Sequence, residues 1–252
     1  MSEQAPLLTY VTHPAPNPAG ESGEGRSGLP PSPGSGEGAG GEVGRSRPLP
    51  PLYGLVLSGG QSTRMQQEKA SLRYHGKPQA AHAFELLAAA CDRAFISCRW
   101  EQAELHAGFP QIHDAYRNLG PLSGILSAMT AFPDAAWLVL ANDLPHVTAD
   151  TLQILIRQRQ PAKIAVAYQY PQQAFPEPLC TIYEPAMRTL LWQRFEAGRY
   201  SLYRVLEHPD IRLLAPANGV TLVNVNDPDG YQQAVALLSN SYPPLPLPGG
   251  DC

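Results

Sequence analysis

Past residue 52 the apolar positions follow two rhythms that alternate along the chain. Short unbroken runs, Leu55–Leu57, the centre of Arg93–Cys98 and Ala136–Leu140, read as buried strands. Between them, apolar residues recur at helical spacing. Pro78–Cys91 carries Ala81, Phe84, Leu87 and Ala88; Leu122–Phe132 carries Ile125, Leu126 and Met129; Ala149–Gln158 carries Leu152, Leu155 and Ile156. Glu101–Ala107 reads as a short helix and Gln111–His113 as a short strand. The second half is less regular. Lys163–Tyr168 is strand-like, Phe175–Leu179 breaks regular structure, and Cys180–Tyr183 resumes a short strand. Pro185–Ala197 and Ser201–Leu206 read as helical, Thr221–Val225 as a last strand and Gly230–Leu238 as a closing helix. This alternation predicts an α/β fold: a Rossmann-like three-layer α/β/α sandwich around a mostly parallel sheet. Ligands of such sheets gather at the carboxyl ends of the strands.

Composition divides the chain. Proline, glycine, serine and glutamate dominate residues 1–51, which cannot bury enough apolar surface to offset their ordering entropy and are expected to be disordered. Residues 241–252 read as a flexible tail, leaving 52–240 as the folded domain. With 43% hydrophobic residues in 252, one full core is expected. The formal net charge of −4 offers no basic excess, so no nucleic-acid surface is expected. No apolar run is long enough to span a membrane, and the N-terminus lacks the basic start and apolar core of a signal peptide. Cys91, Cys98, Cys180 and Cys252 are scattered, with no C-x-x-C pair. Reduced thiols in a cytoplasmic protein are the expectation.

The chemistry concentrates after the first strand. Leu55–Leu57 runs into Ser58, Gly59 and Gly60, and Arg64 and Lys69 follow. Paired glycines after a buried strand let the backbone turn tightly and approach a ligand. Free amides in such a loop attract anions, and the two cations add charge at the same place. A polyphosphate needs this combination. The stretch is neither G-x-x-x-x-G-K-[ST] nor G-x-G-x-x-G, and an ordinary β-turn with a basic flank would also account for it.

A second constellation follows Ala136–Leu140. Asp143, in Asn142-Asp143-Leu144-Pro145, stands at the carboxyl end of a buried strand and would face the same crevice. It is placed to hold Mg²⁺ on bound phosphates; an Asp-x-Pro turn is the other reading. Between the two lie Asp114 and Gly120-Pro121-Leu122-Ser123-Gly124. Near the end, Asn224 and Asn226 alternate on one strand face, either supporting the metal site or acceptor or capping the next helix.

Leu57-Ser58-Gly59-Gly60, Ser62, Arg64-Met65 and Lys69 resemble the signature of nucleotidyltransferases, and within them that of the molybdenum cofactor guanylyltransferases. Gln66 stands where that family usually has glycine, and Asn142 where it has cysteine. Asp114 with Gly-Pro-Leu-x-Gly, Asp143-x-Pro and Asn224-x-Asn226 continue the resemblance. It implies transfer of GMP from GTP to the terminal phosphate of the molybdenum-bound pterin, with release of pyrophosphate. Residues 52–240 would be the nucleotidyltransferase domain. Leu57, Ser58, Gly59, Gly60, Lys69, Asp114 and Asp143 would bind the nucleotide. Arg64, Lys69 and Asp143 would be catalytic, with Mg²⁺ on Asp143. GTP and molybdopterin would be the substrates, molybdoenzymes or cofactor-pathway proteins the partners, and a monomer or weak oligomer the assembly. A cytidylyltransferase for the same pterin, another NTP-dependent nucleotidyltransferase and a degenerate nucleotide-binding subunit are the alternatives. A GT-A glycosyltransferase is disfavoured, because Asn142-Asp143-Leu144 is not the Asp-x-Asp it uses.

Overall fold

In the strands, successive side chains point to opposite faces, so an unbroken apolar run fills two cores at once. A computed structural model describes residues 9–10, 48–58, 77–171, 173–216 and 222, and its strands do this. The elements in chain order are β1 (Thr9–Tyr10), β2 (Leu52–Leu57), α1 (Gln79–Ala90), β3 (Arg93–Cys98), a 3₁₀ helix (Trp100–His106) and β4 (Gln111–His113). They continue with α2 (Pro121–Ala131), β5 (Ala136–Ala141), α3 (Ala149–Arg157), β6 (Ala165–Tyr168) and β7 (Glu177–Tyr183). The last are α4 (Met187–Glu196), α5 (Leu202–Val205) and β8 (Ile211–Leu214). From β2, Leu55 and Leu57 join one core with Phe95, Trp137 and Val139, packed by residues of α2, α4 and α5. Leu52 and Val56 join the opposite core with Ile96, Leu138 and Leu140, packed by α1 and α3. The expected three layers are therefore present.

Among the described residues the strands form one eight-stranded sheet in the order β1-β4-β3-β2-β5-β7-β6-β8. β2 pairs in parallel with both β3 and β5. β7 alone runs antiparallel to its neighbours β5 and β6. The strand Cys180–Tyr183 begins earlier than expected, at Glu177, and takes in Pro178. Proline is tolerated there because β5 pairing starts only at Leu140–Cys180 and the β6 register is irregular at Ala167/Tyr168. β8, parallel to β6, was not expected from the sequence. At Thr9–Tyr10 the structure departs from the unstructured reading of residues 1–51, since this pair adds to the free edge of β4. The expected elements Thr221–Val225 and Gly230–Leu238 lie outside the described residues, Leu222 excepted.

Two close contacts fix the frame. A Cβ on Gly54 would lie 2.7 Å from Cβ of Leu87, so α1 sits against β2 at a distance that only glycine allows. The entry to β2 is held by Arg159, which makes a buried two-pronged pair with Glu184 (2.7 and 2.9 Å) and donates to the carbonyl of Pro50 at 3.0 Å. Cys91, Cys98 and Cys180 are free thiols. Among the described residues no helix is long and apolar enough to cross a membrane.

Candidate active site

The chain leaves β2 toward β3 on one side and leaves β5 toward β6 on the other. Between two neighbouring parallel strands whose connections diverge, a crevice opens at the carboxyl ends. Leu57 pairs with Ala141 at that end, and the amide of Asn142 donates to the carbonyl of Leu57 at 3.3 Å. Ser58 and Asp143 thereby follow neighbouring strand ends at the same edge of the sheet. Ser58 is tied twice: its amide donates to the carbonyl of Ser97 (3.0 Å) and its hydroxyl lies 3.0 Å from Nε2 of His106. Burial pulls the His106 imidazole below its ordinary pKa, so this contact is made by the neutral ring near pH 7. Gly59, Gly60, Arg64, Gln66, Lys69, Asn224 and Asn226 lie outside the described residues.

Asp114 follows β4, three interstrand steps from β5, or roughly 14 Å along the sheet edge. Its amide donates to the carbonyl of Cys98 (3.0 Å), and its Oδ1 accepts from the Ser97 hydroxyl at 2.6 Å. Burial pushes its carboxyl up, while the Ser97 bond and the Arg99 charge pull the other way. The loop after it is stitched to α2: the Ser127 hydroxyl accepts from the amide of Ala115 at 2.9 Å, and the Ser123 hydroxyl accepts from the amide of Tyr116 at 3.3 Å. α2 opens on Gly120, at φ 57°, and Pro121, one residue ahead of the expected Leu122. Gly124 has a separate reason: a Cβ there would meet the Ser97 hydroxyl at 2.2 Å. That glycine leaves room for the hydroxyl that orients Asp114. Arg99, Trp100, Asp114, Tyr116, Gly120 and Ser123 line a cavity of about 240 Å³ at this end of the sheet.

In the sequence Glu177 carries no role of its own, only a place in Pro176–Leu179, which resembles a loop that faces the acceptor in the guanylyltransferases. β5 and β7 are antiparallel with Leu140 paired to Cys180, so three residues further along the two strands stand Asp143 and Glu177. Burial raises the Glu177 carboxyl to about 7; the Asp143 charge adds to this, and the hydrogen bond from the Leu179 amide (2.8 Å) opposes it. The Tyr203 hydroxyl, raised first by burial, also feels both carboxylates. No local pattern marks Glu177, because its neighbour arrives by antiparallel pairing. Ser97, Ser123 and Ser127 were also missed; their only signal was hydroxyls set among apolar neighbours.

Glu177 has a measurable consequence. Its pKa is raised on folding, so from about pH 4.5 to 7 the native state binds more protons than the unfolded chain, and stability falls as pH rises through that window. Glu177→Gln should remove this loss, stabilising the metal-free protein by on the order of 2 kcal/mol at pH 8 and leaving it nearly unchanged at pH 4.5. Thermal melts at the two pH values, in the presence of a chelator, read the difference. Equal effects at both would mean that the carboxyl is not held as described.

Oxygen donors at Asp143 and Glu177, with like charges already in mutual repulsion, suit a hard divalent cation. Among the described residues no group of three or more His, Cys, Asp or Glu gathers to cage a metal, so substrate oxygens and water would have to complete its shell.

Comparison with known proteins bears on this arrangement. Residues 54–212 match the MobA-like NTP transferase domain. The chain is 36% identical over 186 residues to a molybdenum cofactor biosynthesis bifunctional protein of Synechocystis, covering 73% of this chain and 53% of that one. It thus spans about half the length of that relative. It is 31% identical over 192 residues to a molybdenum cofactor guanylyltransferase of Pseudomonas fluorescens, covering 74% and 94%. Among solved structures, molybdopterin-guanine dinucleotide biosynthesis protein A of Archaeoglobus fulgidus superposes with a TM-score of 0.63 at 23% identity, covering 75% and 99%. A Mycobacterium tuberculosis protein solved as a manganese complex superposes at 0.53 with 17% identity, covering 75% and 100%.

Proposed function

The chain belongs to the MobA-like NTP transferase domain family, and on that premise we propose that it transfers GMP from GTP to molybdopterin carrying the molybdenum cofactor. The observation that supports this reading is the junction of β2 and β5, where the Asn142–Leu57 hydrogen bond joins the two strand ends from which Ser58 and Asp143 follow. A nucleoside triphosphate laid along the strand ends would put its base near Asp114 and its phosphates near Ser58 and Asp143. An oxygen of the acceptor phosphate attacks the α-phosphorus in line; the new P–O bond forms as the bond to pyrophosphate breaks. The acceptor is already an anion, so no side chain is required as general base. The chain's part is positioning and charge. Backbone amides of Gly59 and Gly60 and the Lys69 ammonium would hold the phosphates, and Arg64 would face the charge developing on pyrophosphate. Asp143 would hold Mg²⁺, which when bound neutralises phosphate charge. Asp114, fixed by Ser97, offers acceptor oxygens that suit the ring N–H and exocyclic amine of guanine. Asn224 and Asn226 would support the metal or the acceptor.

Calorimetry with GTP, CTP, ATP and UTP, each with and without Mg²⁺, tests the reading. GTP preference strengthened by Mg²⁺, followed by pyrophosphate release with molybdopterin, is the expected result. Preference for CTP would move the protein to cytidylyl transfer with the same mechanism. Absence of binding to all four would overturn the proposal and leave a degenerate subunit.

A further inference from the structure

We propose that Trp100 is the platform on which the nucleotide base stacks; the inference rests on the nucleotide reading above and adds to it the residue that supplies a stacking face for the base. Trp100 opens the 3₁₀ helix directly after β3 and lines the cavity that Asp114 also lines. It is 63% exposed, the most exposed of the large apolar side chains among the described residues. An indole left in water forgoes burial that a core position would have supplied, so its place at a cavity mouth calls for an occupant. Its ring is also held. Trp100 meets the buried His113 ring edge to face, with centroids 4.4 Å apart and planes at 89°. His113 is itself fixed, its Nε2 lying 3.1 Å from Oε1 of Gln111. A fixed, exposed aromatic face beside an oriented carboxylate is the pairing that a nucleobase asks for: a flat apolar surface and in-plane acceptors for its N–H groups.

The size of the cavity agrees. At about 240 Å³ it falls below the roughly 300–1,000 Å³ of pockets that enclose a whole drug-sized ligand. It suits a single heterocycle, with ribose and phosphates running out along the strand ends toward Ser58. The side chains of the two partners are held by different groups. Asp114 is set by Ser97 and by the seam to α2, whereas Trp100 is set by His113 on β4. Loss of the indole should therefore remove stacking and leave the carboxylate in place.

The test uses the full chain and three tryptophans in different settings: Trp100 exposed, Trp137 fully buried and Trp192 partly buried. GTP should quench the tryptophan emission of the wild type. Trp100→Phe should abolish that quench and still bind GTP within about threefold by calorimetry, since a phenyl ring can stack. Trp100→Ala should weaken GTP roughly five- to 150-fold, the effect of losing one base–aromatic stack. Its binding of inorganic tripolyphosphate, which has no base, should stay at the wild-type value, which separates lost stacking from a damaged fold. Trp100→Ala binding GTP within twofold of wild type, or an equal loss for GTP and tripolyphosphate, overturns the inference while leaving the nucleotide reading intact. A wild type that binds no nucleotide overturns both.

Discussion

Asp143→Ala is expected to lose on the order of 10²-fold or more in turnover, the size of effect seen when one fixed electrostatic group is taken from a reacting phosphate or oxyanion. Its position gives the reason. Asp143 leaves the carboxyl end of β5, a strand whose six residues are all buried, so its backbone has little freedom to move. The register Leu57–Ala141 holds the end of β2 against the end of β5, two residues before Asp143. With the Asp143 carboxylate gone, Glu177 and water would be left to hold the Mg²⁺ that neutralises the phosphate charge. Pyrophosphate release measured against Mg²⁺ concentration is the check. The variant should need far more Mg²⁺, and even at saturation it should not recover. Near-normal turnover at ordinary Mg²⁺ would remove Asp143 from the reaction. Asp143→Asn is the sharper comparison, because it keeps shape and one oxygen and deletes only the charge.

The second large effect is on stability and lies outside the crevice. Gly54→Val should destabilise the protein by about 3 kcal/mol or more, as overpacking at a contact that cannot yield. The atom met at 2.7 Å is Cβ of Leu87, which is carried by the α1 backbone and cannot swing aside as a side-chain tip could. The helix would have to lift from β2, opening the core in which Val56, Ala83 and Leu87 meet. For a domain of this size the melting temperature should fall by about 6–12 °C. Melting within 2 °C of wild type would mean that α1 is not seated on β2 at that spacing.

Much of the frame was legible because it is written in short-range pattern. Buried runs such as Ala136–Leu140 and the helical spacing in Leu122–Phe132 depend only on residues within a few positions of one another, and the structure has β5 and α2 there. The presence of a carboxylate and paired glycines directly after buried runs is equally local, and the Asn142–Leu57 hydrogen bond joins the two strand ends that Ser58 and Asp143 follow.

Other features depend on which strand lies beside which. That β7 enters antiparallel between β5 and β6 has no signature in its own residues, and from this insertion follows the meeting of Glu177 with Asp143. Gly124 read as one member of a motif; only the packing of α2 over β3 shows that its missing side chain makes room for the Ser97 hydroxyl on Asp114. Trp100 carried no signal of its own in the sequence, and its standing at the cavity emerges only when β4 brings His113 against it. The sequence by itself determined the alternation of strands and helices and the chemistry at their ends, since backbone periodicity acts over a few residues. The tertiary structure alone decided strand order, direction and the partners of each polar group, since hydrogen bonds and packing between distant segments are specified by the whole sheet and not by any one stretch of it.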